Sequence, residues 1–215
     1  QLATTLGVPI GFANVAWGGT SSAQWQPGTG LHDRLVAAGT SLGRFRAVLW
    51  QQGESDVIEH TSTDDYVAAM ERIRGAAARA WGFEPAWLCA KSTHHPTVYD
   101  DPEGEGRIRA AVDRLATMPG FGPGPDTDTL KGDARGDVNS RRHFSAIGQR
   151  RAAALWAAVL LERLGRVPKG VEAASFLLSD LHLLEPAWKS DVVWRESSVL
   201  RSTTADEPAR ARLAY

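Results

Sequence analysis

The sequence predicts an α/β domain, a parallel sheet with helices on both faces, and three observations lead there. Strand-like and helix-like segments alternate from Val8 to Leu164. Parallel strands need crossovers, and crossovers are usually helical. The segments richest in Gly, Ser, Thr and Pro follow the strands, where sites in such sheets gather. A length of 215 residues allows one domain of this kind and an extension.

The elements are justified in order. Val8 to Ala16 reads as a strand and Trp17 to Gly30 as the loop after it. Leu31 to Leu42 is predicted helical. Ala47-Val48-Leu49-Trp50 is a short apolar run cut off by Gly53, the pattern of a buried strand whose carboxyl end delivers Gln52. Thr63 is expected to cap the next helix, with Asp64 and Asp65 in its first turn, Tyr66, Met70, Ile73, Ala77 and Trp81 at helical spacing, and Gly82 as its stop. Ala86 to Ala90 is a third strand, and Lys91 to Glu105, with two prolines and several turn formers, is expected to be a long irregular loop. Ile108, Ala111, Val112 and Leu115 mark another helix face. Pro119 to Asp128 is too rich in Gly and Pro for a regular element, although Phe121 is a candidate start for a brief edge strand. Ser145 is placed to cap the last long helix, whose stripe is Gly148, Ala152, Leu155, Trp156, Val159 and Leu164. Val167-Pro168-Lys169-Gly170 reads as a linker, which sets the expected division at residues 1–165 and 166–215. Asp191 to Leu200 holds β-prone residues that could open a separate β module.

Composition narrows the function. A net charge of -1 offers no electrostatic footprint for nucleic acid or an anionic membrane, and neither partner is expected. No apolar stretch reaches transmembrane length and no signal-peptide pattern opens the chain, so the compartment is open. The single cysteine, Cys89, excludes an internal disulfide and a cysteine-built zinc site, and is expected to be a buried small hydrophobe.

Three polar blocks carry the chemistry: Trp17-Gly18-Gly19-Thr20-Ser21 to Trp25, Trp50-Gln51-Gln52-Gly53-Glu54-Ser55-Asp56, and Arg142-His143-Phe144-Ser145. Acyl transfer needs a nucleophile, a base for its proton, and donors aimed at the oxygen that becomes negative. A glycine lets a backbone N–H approach a reacting carbonyl, a side-chain amide is a neutral donor, and an imidazole exchanges protons near neutral pH. Glu54 and Asp56 are unsuited to a glycosidase pair, since two acids on one loop seldom face each other across a sugar ring.

In this order the blocks resemble the sialate O-acetylesterase-like and acetylxylan-esterase-like branch, carbohydrate esterase family six, of the SGNH hydrolases. The resemblance runs from about Leu2 to Leu164 and implies a three-layer flavodoxin-like fold. It implies Gly19 and Gln52 as oxyanion donors and His143 as the base of a serine acyl-enzyme mechanism that needs no cofactor or metal. The family's opening Gly-Gln-Ser-Asn block has no counterpart in the sixteen residues before Trp17, none of which is Ser, so the domain is read as N-terminally incomplete and the nucleophile is expected upstream. The family's aspartate three residues before the histidine is replaced by Ser140. Asp137, Asp133 or a backbone carbonyl is then left to orient the ring. Trp17 and Trp25 are candidates to stack on a sugar, as is Trp50, whereas Trp81, Trp87 and Trp156 read as core. Glu54 reads as a loop organiser beside the substrate and His94 as part of the substrate mouth. Asp126 and Asp128 read as loop hydrogen-bonding groups. The expected substrate is an acetylated carbohydrate or similar small ester. The alternative is a catalytically silent carbohydrate-binding or structural domain of a larger protein.

Overall fold

A computed structural model of the chain describes residues 2–96, 100–136, 141–164, 193–194 and 199–201. The linker and most of the C-terminal extension lie outside the described residues, as do Asp137 and Ser140. The chain divides into two compact units, residues 17–156 and residues 1–16 with 157–215.

In the first of these units, β2 (Ala47–Gln51), β3 (Ala86–Lys91) and β4 (Phe121–Asp126) form a parallel sheet in the order β2-β3-β4. The crossovers are α4 (Thr63–Trp81), preceded by the short α3 (Glu54–Ile58), and α5 (Pro102–Ala116). Both crossovers step the same way across the sheet, so right-handed connection puts α4 and α5 on one face. Paired residues of parallel strands share a face, which groups Val48 and Trp50 with Trp87 and Cys89. Trp87 stacks on Trp81 of α4 at 6.5 Å and 25° on that side. Gln51 belongs to the other face and accepts from Trp156 Nε1 of α6 (Ala146–Arg163) at 2.9 Å. The architecture is therefore α/β with helices on both faces, as the sequence predicts.

The core lies against the Trp87 face. Tyr66, Met70, Ile73 and Ala77 of α4 and Ile108, Ala111 and Leu115 of α5 are all fully buried. Burying one large apolar side chain is worth about 1.5–3 kcal/mol, which makes these two stripes the main cohesive element. Trp25 meets Trp50 edge to face at 5.5 Å, and Trp50 lies 5.7 Å from Trp87. Cys89 is buried at 1% exposure, and that burial pushes its thiol pKa up to about 12, which makes it inert as well as apolar.

Several expectations are corrected. The cap of α4 is Ser62, which accepts from the Asp65 N–H at 3.1 Å, while Thr63 is the first helical residue. Helix α5 starts at Pro102 rather than after Glu105. Asp101 caps it and Pro102 sits where a missing N–H costs nothing, so a proline read as a loop signal was a helix start. The segment from Phe121 to Asp126 is a full strand at the edge of the described sheet, where Pro123 and Pro125 are tolerated. Glu54 and Asp56 sit on α3 and not on an irregular loop. Helix α6, capped by Ser145 as expected, buries Ala152, Ala154, Ala157, Ala158 and Leu161, whereas Leu164 of the predicted stripe is 45% exposed. Trp156 is half-buried and polar-bonded to Gln51 rather than core.

The other unit holds α1 (Leu2–Leu6) and a three-stranded antiparallel sheet of β1 (Gly11–Ala13), β6 (Val199–Arg201) and β5 (Val193–Trp194), in that order. The strand expected over Val8 to Ala16 is thus only three residues long and pairs with β6, not with the parallel sheet. Pro9 supplies no ladder donor, and Asn14 folds its own side chain onto the Ala16 N–H at 3.0 Å, ending the strand. The β-prone residues near the C-terminus do form strands, in a sheet that includes β1.

Candidate active site

Beyond the carboxyl end of β2 the first two blocks are bolted together by one carboxylate. Asp56 is fully buried, accepts from the Ser22 N–H at 2.8 Å and from the Ser22 hydroxyl at 2.6 Å, and takes a third hydrogen bond from the Gln52 amide. The Gln52 nitrogen also donates to the Thr20 carbonyl at 3.1 Å. On the other side of the amide, the Tyr66 hydroxyl donates to the Gln52 carbonyl and side-chain oxygens at 3.0 and 3.2 Å. Acceptors on the nitrogen side and a donor on the oxygen side fix the amide's orientation. Both N–H bonds of Gln52 are engaged in this arrangement. Burial raises the Tyr66 pKa well above its ordinary value, so the hydroxyl stays a donor.

Gly53 lets α3 start immediately after Gln52, because a Cβ there would sit 2.6 Å from the Ser92 carbonyl oxygen. Gly19 is exposed and has φ +71°, a left-handed turn; a Cβ would meet nothing within 4 Å, so the requirement at this position is conformational. The turn is closed by the Thr20 hydroxyl, which donates to the Trp17 carbonyl at 2.8 Å and accepts from Trp25 Nε1 at 2.9 Å. Trp25 is 4% exposed and Trp50 7%, which removes both as sugar-stacking platforms; their rings are core. Trp17 remains 59% exposed, with the Arg34 guanidinium 5.6 Å from its ring centre.

The loops after β3 and β4 form a second polar cluster. Glu54 accepts from the Ser92 hydroxyl at 2.9 Å, and burial raises its pKa above the usual carboxylate range. Asp128, 7% exposed, accepts from the Thr93 N–H and hydroxyl at 2.8 and 2.7 Å, from the His94 N–H at 3.1 Å and from Arg109 at 2.7 Å. Arg109 also grips Asp126 in bidentate fashion at 2.9 and 2.5 Å. Burial works against ionisation of Asp126, but the Arg109 hydrogen bonds and charge prevail and hold its carboxyl below the ordinary value. His94 turns its Nδ1 toward Glu105 on α5 at 3.5 Å. Among the described residues, no group of three or more His, Cys, Asp or Glu side chains is placed to hold a metal ion.

His143 is exposed, just ahead of α6. Its backbone is tied down, since the His143 carbonyl accepts from the Gly136 N–H at 3.0 Å and the Ser145 N–H donates to the Ala134 carbonyl at 2.9 Å. The neighbouring Arg142 reaches His95 Nε2 at 3.3 Å, linking the third block to the loop after β3. Described contacts therefore join Gly19's loop to Gln52 directly, Glu54 to the loop after β3, and the His143 segment to that same loop. Asp137, the expected partner of the imidazole, lies outside the described residues.

Sequence reasoning missed three contributors. Asp56 shows in the sequence only as an acid unsuited to a glycosidase pair, although the turn into α3 at Gly53 brings its side chain to Gln52. Tyr66 was read as a purely apolar contact, and Arg135 carried no signal, because an arginine in a Gly-Asp-Ala-Arg-Gly stretch looks like surface.

Comparison with known proteins finds a likeness to carbohydrate esterases over the first part of the chain. The parallel sheet flanked by helices is consistent with an α/β fold of the SGNH-like kind. More narrowly, residues 2–82 match the family described as carbohydrate esterase, sialic acid-specific acetylesterase. Over 68 residues the chain is 37% identical to a probable carbohydrate esterase of Arabidopsis thaliana, a stretch covering 30% of this chain and 26% of that protein. The chain thus matches only about a quarter of that curated relative's length. No solved structure matches. The family match takes in Gly19, Gln52 and Glu54 and ends before His143. No described helix is long and apolar enough to cross a membrane.

Proposed function

We propose that this domain hydrolyses acetyl esters of carbohydrates through a serine acyl-enzyme, with the serine supplied from upstream of residue 1. The serine attacks the acetyl carbonyl, His143 takes its proton and later gives it to the leaving sugar hydroxyl, and water repeats the cycle on the acyl-enzyme. The Gly19 N–H and the Gln52 amide stabilise the tetrahedral oxyanion, and Trp17 offers an exposed ring at the sugar mouth, with Glu54 and His94 shaping the floor. The observation that carries this reading is the fixed Gln52 amide, coupled to the Gly19 turn through Thr20 and Asp56 at the carboxyl end of a parallel strand.

A second reading, a carbohydrate-binding or structural domain without catalysis, draws on the same amide. Both of its N–H groups are already engaged, so an oxyanion must displace Thr20 or Asp56 to be bound by it. Steady-state kinetics on an acetylated sugar separates the two. The 215-residue chain is expected to show no burst and no turnover above a His143→Ala control. With its upstream coding segment restored, the protein should turn over, with Gln52→Ala lowering kcat about a hundredfold at nearly constant KM. Absence of turnover in the restored protein favours the silent domain, whereas turnover indifferent to both Gln52→Ala and His143→Ala overturns the assignment of these residues.

A further inference from the structure

The third block is held by an arginine that the chemistry above does not use. Arg135 is 8% exposed, and its guanidinium is spent on main-chain carbonyls: Nε donates to Leu130 at 2.6 Å, Nη2 to Thr127 at 3.0 Å, and Nη1 to Arg142. Two of these carbonyls belong to the segment leaving β4 and the third to the residue before His143. The face of the guanidinium lies 4.4 Å from the ring centre of Phe144, the residue after His143. Arg135 also pairs with Phe144 in an isolated antiparallel bridge, flanked by the Gly136-to-His143 and Ser145-to-Ala134 backbone bonds.

A planar cation with donors along several directions is what this cage requires. Lysine carries its three donors on a single nitrogen, so it cannot span the two segments and lie flat on a ring together. Because both neighbours of His143 are gripped by one rigid group, the imidazole's starting point is set from the carboxyl end of β4 even though its own side chain is exposed. We infer that Arg135 is a positioning residue, fixing the His143 segment against the β4 loop. The functional weight of this inference rests on the reading of His143 as the base.

The test uses the 215-residue chain, with amide hydrogen exchange and the NMR titration of the His143 imidazole as readouts. In Arg135→Lys the Gly136 and Ser145 amides should exchange at least tenfold faster and the His143 titration should move, while β3 amides keep their protection. The variant keeps the positive charge, so a moved titration reports position rather than a lost neighbour. Arg151→Ala, which removes an exposed ion pair with Asp133, should change neither readout. If Arg135→Lys fails to fold, Phe144→Leu removes only the ring beneath the guanidinium and is judged by the same two readouts. Unchanged exchange at Gly136 and Ser145 together with an unchanged His143 titration overturns the inference. The base assignment is tested separately: if the restored protein's turnover survives His143→Ala while the exchange and titration shifts appear, the clamp stands and the assignment of His143 falls.

Discussion

Asp56 is fully buried and His143 is exposed, yet both belong to the blocks from which the proposed site is built. Around Asp56 the fold supplies its own partners: two donors from Ser22, one from Gln52, and Tyr66 behind the amide. Around His143 the described contacts are backbone anchorage through Gly136, Ser145 and Arg135, so the position of the segment is built in although the residue is exposed. The oxyanion side of the proposed site is thus continuous with the core and cannot be altered without cost to folding. On the base side the burial lies in Arg135, while His143 itself is exposed.

Substitution at these two poles should separate them by the largest margin. Asp56→Ala leaves the Ser22 N–H, the Ser22 hydroxyl and one Gln52 N–H without an acceptor. Each orphaned buried donor costs about 1–3 kcal/mol, so a loss of about 3 kcal/mol or more is expected in urea unfolding. His143→Ala, by contrast, should lie within about 0.5 kcal/mol of the native chain, as surface substitutions do. Equal losses at the two positions would erase the distinction drawn here.

Two smaller changes sharpen the oxyanion side. Gly53→Ala drives a methyl group to 2.6 Å from the Ser92 carbonyl oxygen, and relief by shifting α3 or the β3 loop should cost about 1–3 kcal/mol. Tyr66→Phe removes only the hydroxyl that backs Gln52 and should cost about 1 kcal/mol, visible as a lower thermal midpoint. If Tyr66→Phe is neutral while Gly53→Ala is costly, the amide is oriented by Asp56 and Thr20 alone.

What the sequence made legible follows the same division. Periodic apolar positions were sufficient for α4 and α5, because Met70, Ile73, Ile108 and Leu115 have no other reason for their spacing and all are buried. The long Trp-x-Gln-Gly-Glu-Ser-Asp run located the Gln52 block. Legibility failed where one residue type has two physical uses. Pro102 starts a helix, Pro123 and Pro125 sit in an edge strand, and Trp25 lies beside a polar motif with its ring in the core. It failed again for contacts that depend on distant segments, such as Arg135 with Thr127 and Arg142, since no local pattern encodes a carbonyl cage.

The smallest expected effect compares two acids between these poles, Glu54 at the start of α3 and Asp126 at the end of β4, and its sign is the point. The Asp126 carboxyl is held below its ordinary pKa, so the stability it contributes is present above about pH 4 and is lost as the pH falls through the folded value. Glu54 is raised, chiefly by burial, so its contribution is present below about pH 4 and is lost as the pH rises through the folded value. Glu54→Gln keeps an oxygen for the Ser92 hydroxyl while removing the charge that burial penalises. Its thermal midpoint should therefore exceed that of the native chain near neutral pH, with the gap closing on acidification. Asp126→Asn weakens the grip on Arg109 and should lie below the native chain near neutral pH, its deficit also closing on acidification. Asp126 is one-third exposed, so water screens the pair and the Asp126 effect should be modest. Thermal midpoints of the three proteins between pH 3 and 8 decide the matter. If Glu54→Gln instead lowers the midpoint at neutral pH, the ionised carboxylate is needed in the fold, and Glu54 belongs with Asp56 as a charged anchor of the oxyanion side rather than as a charge that burial penalises.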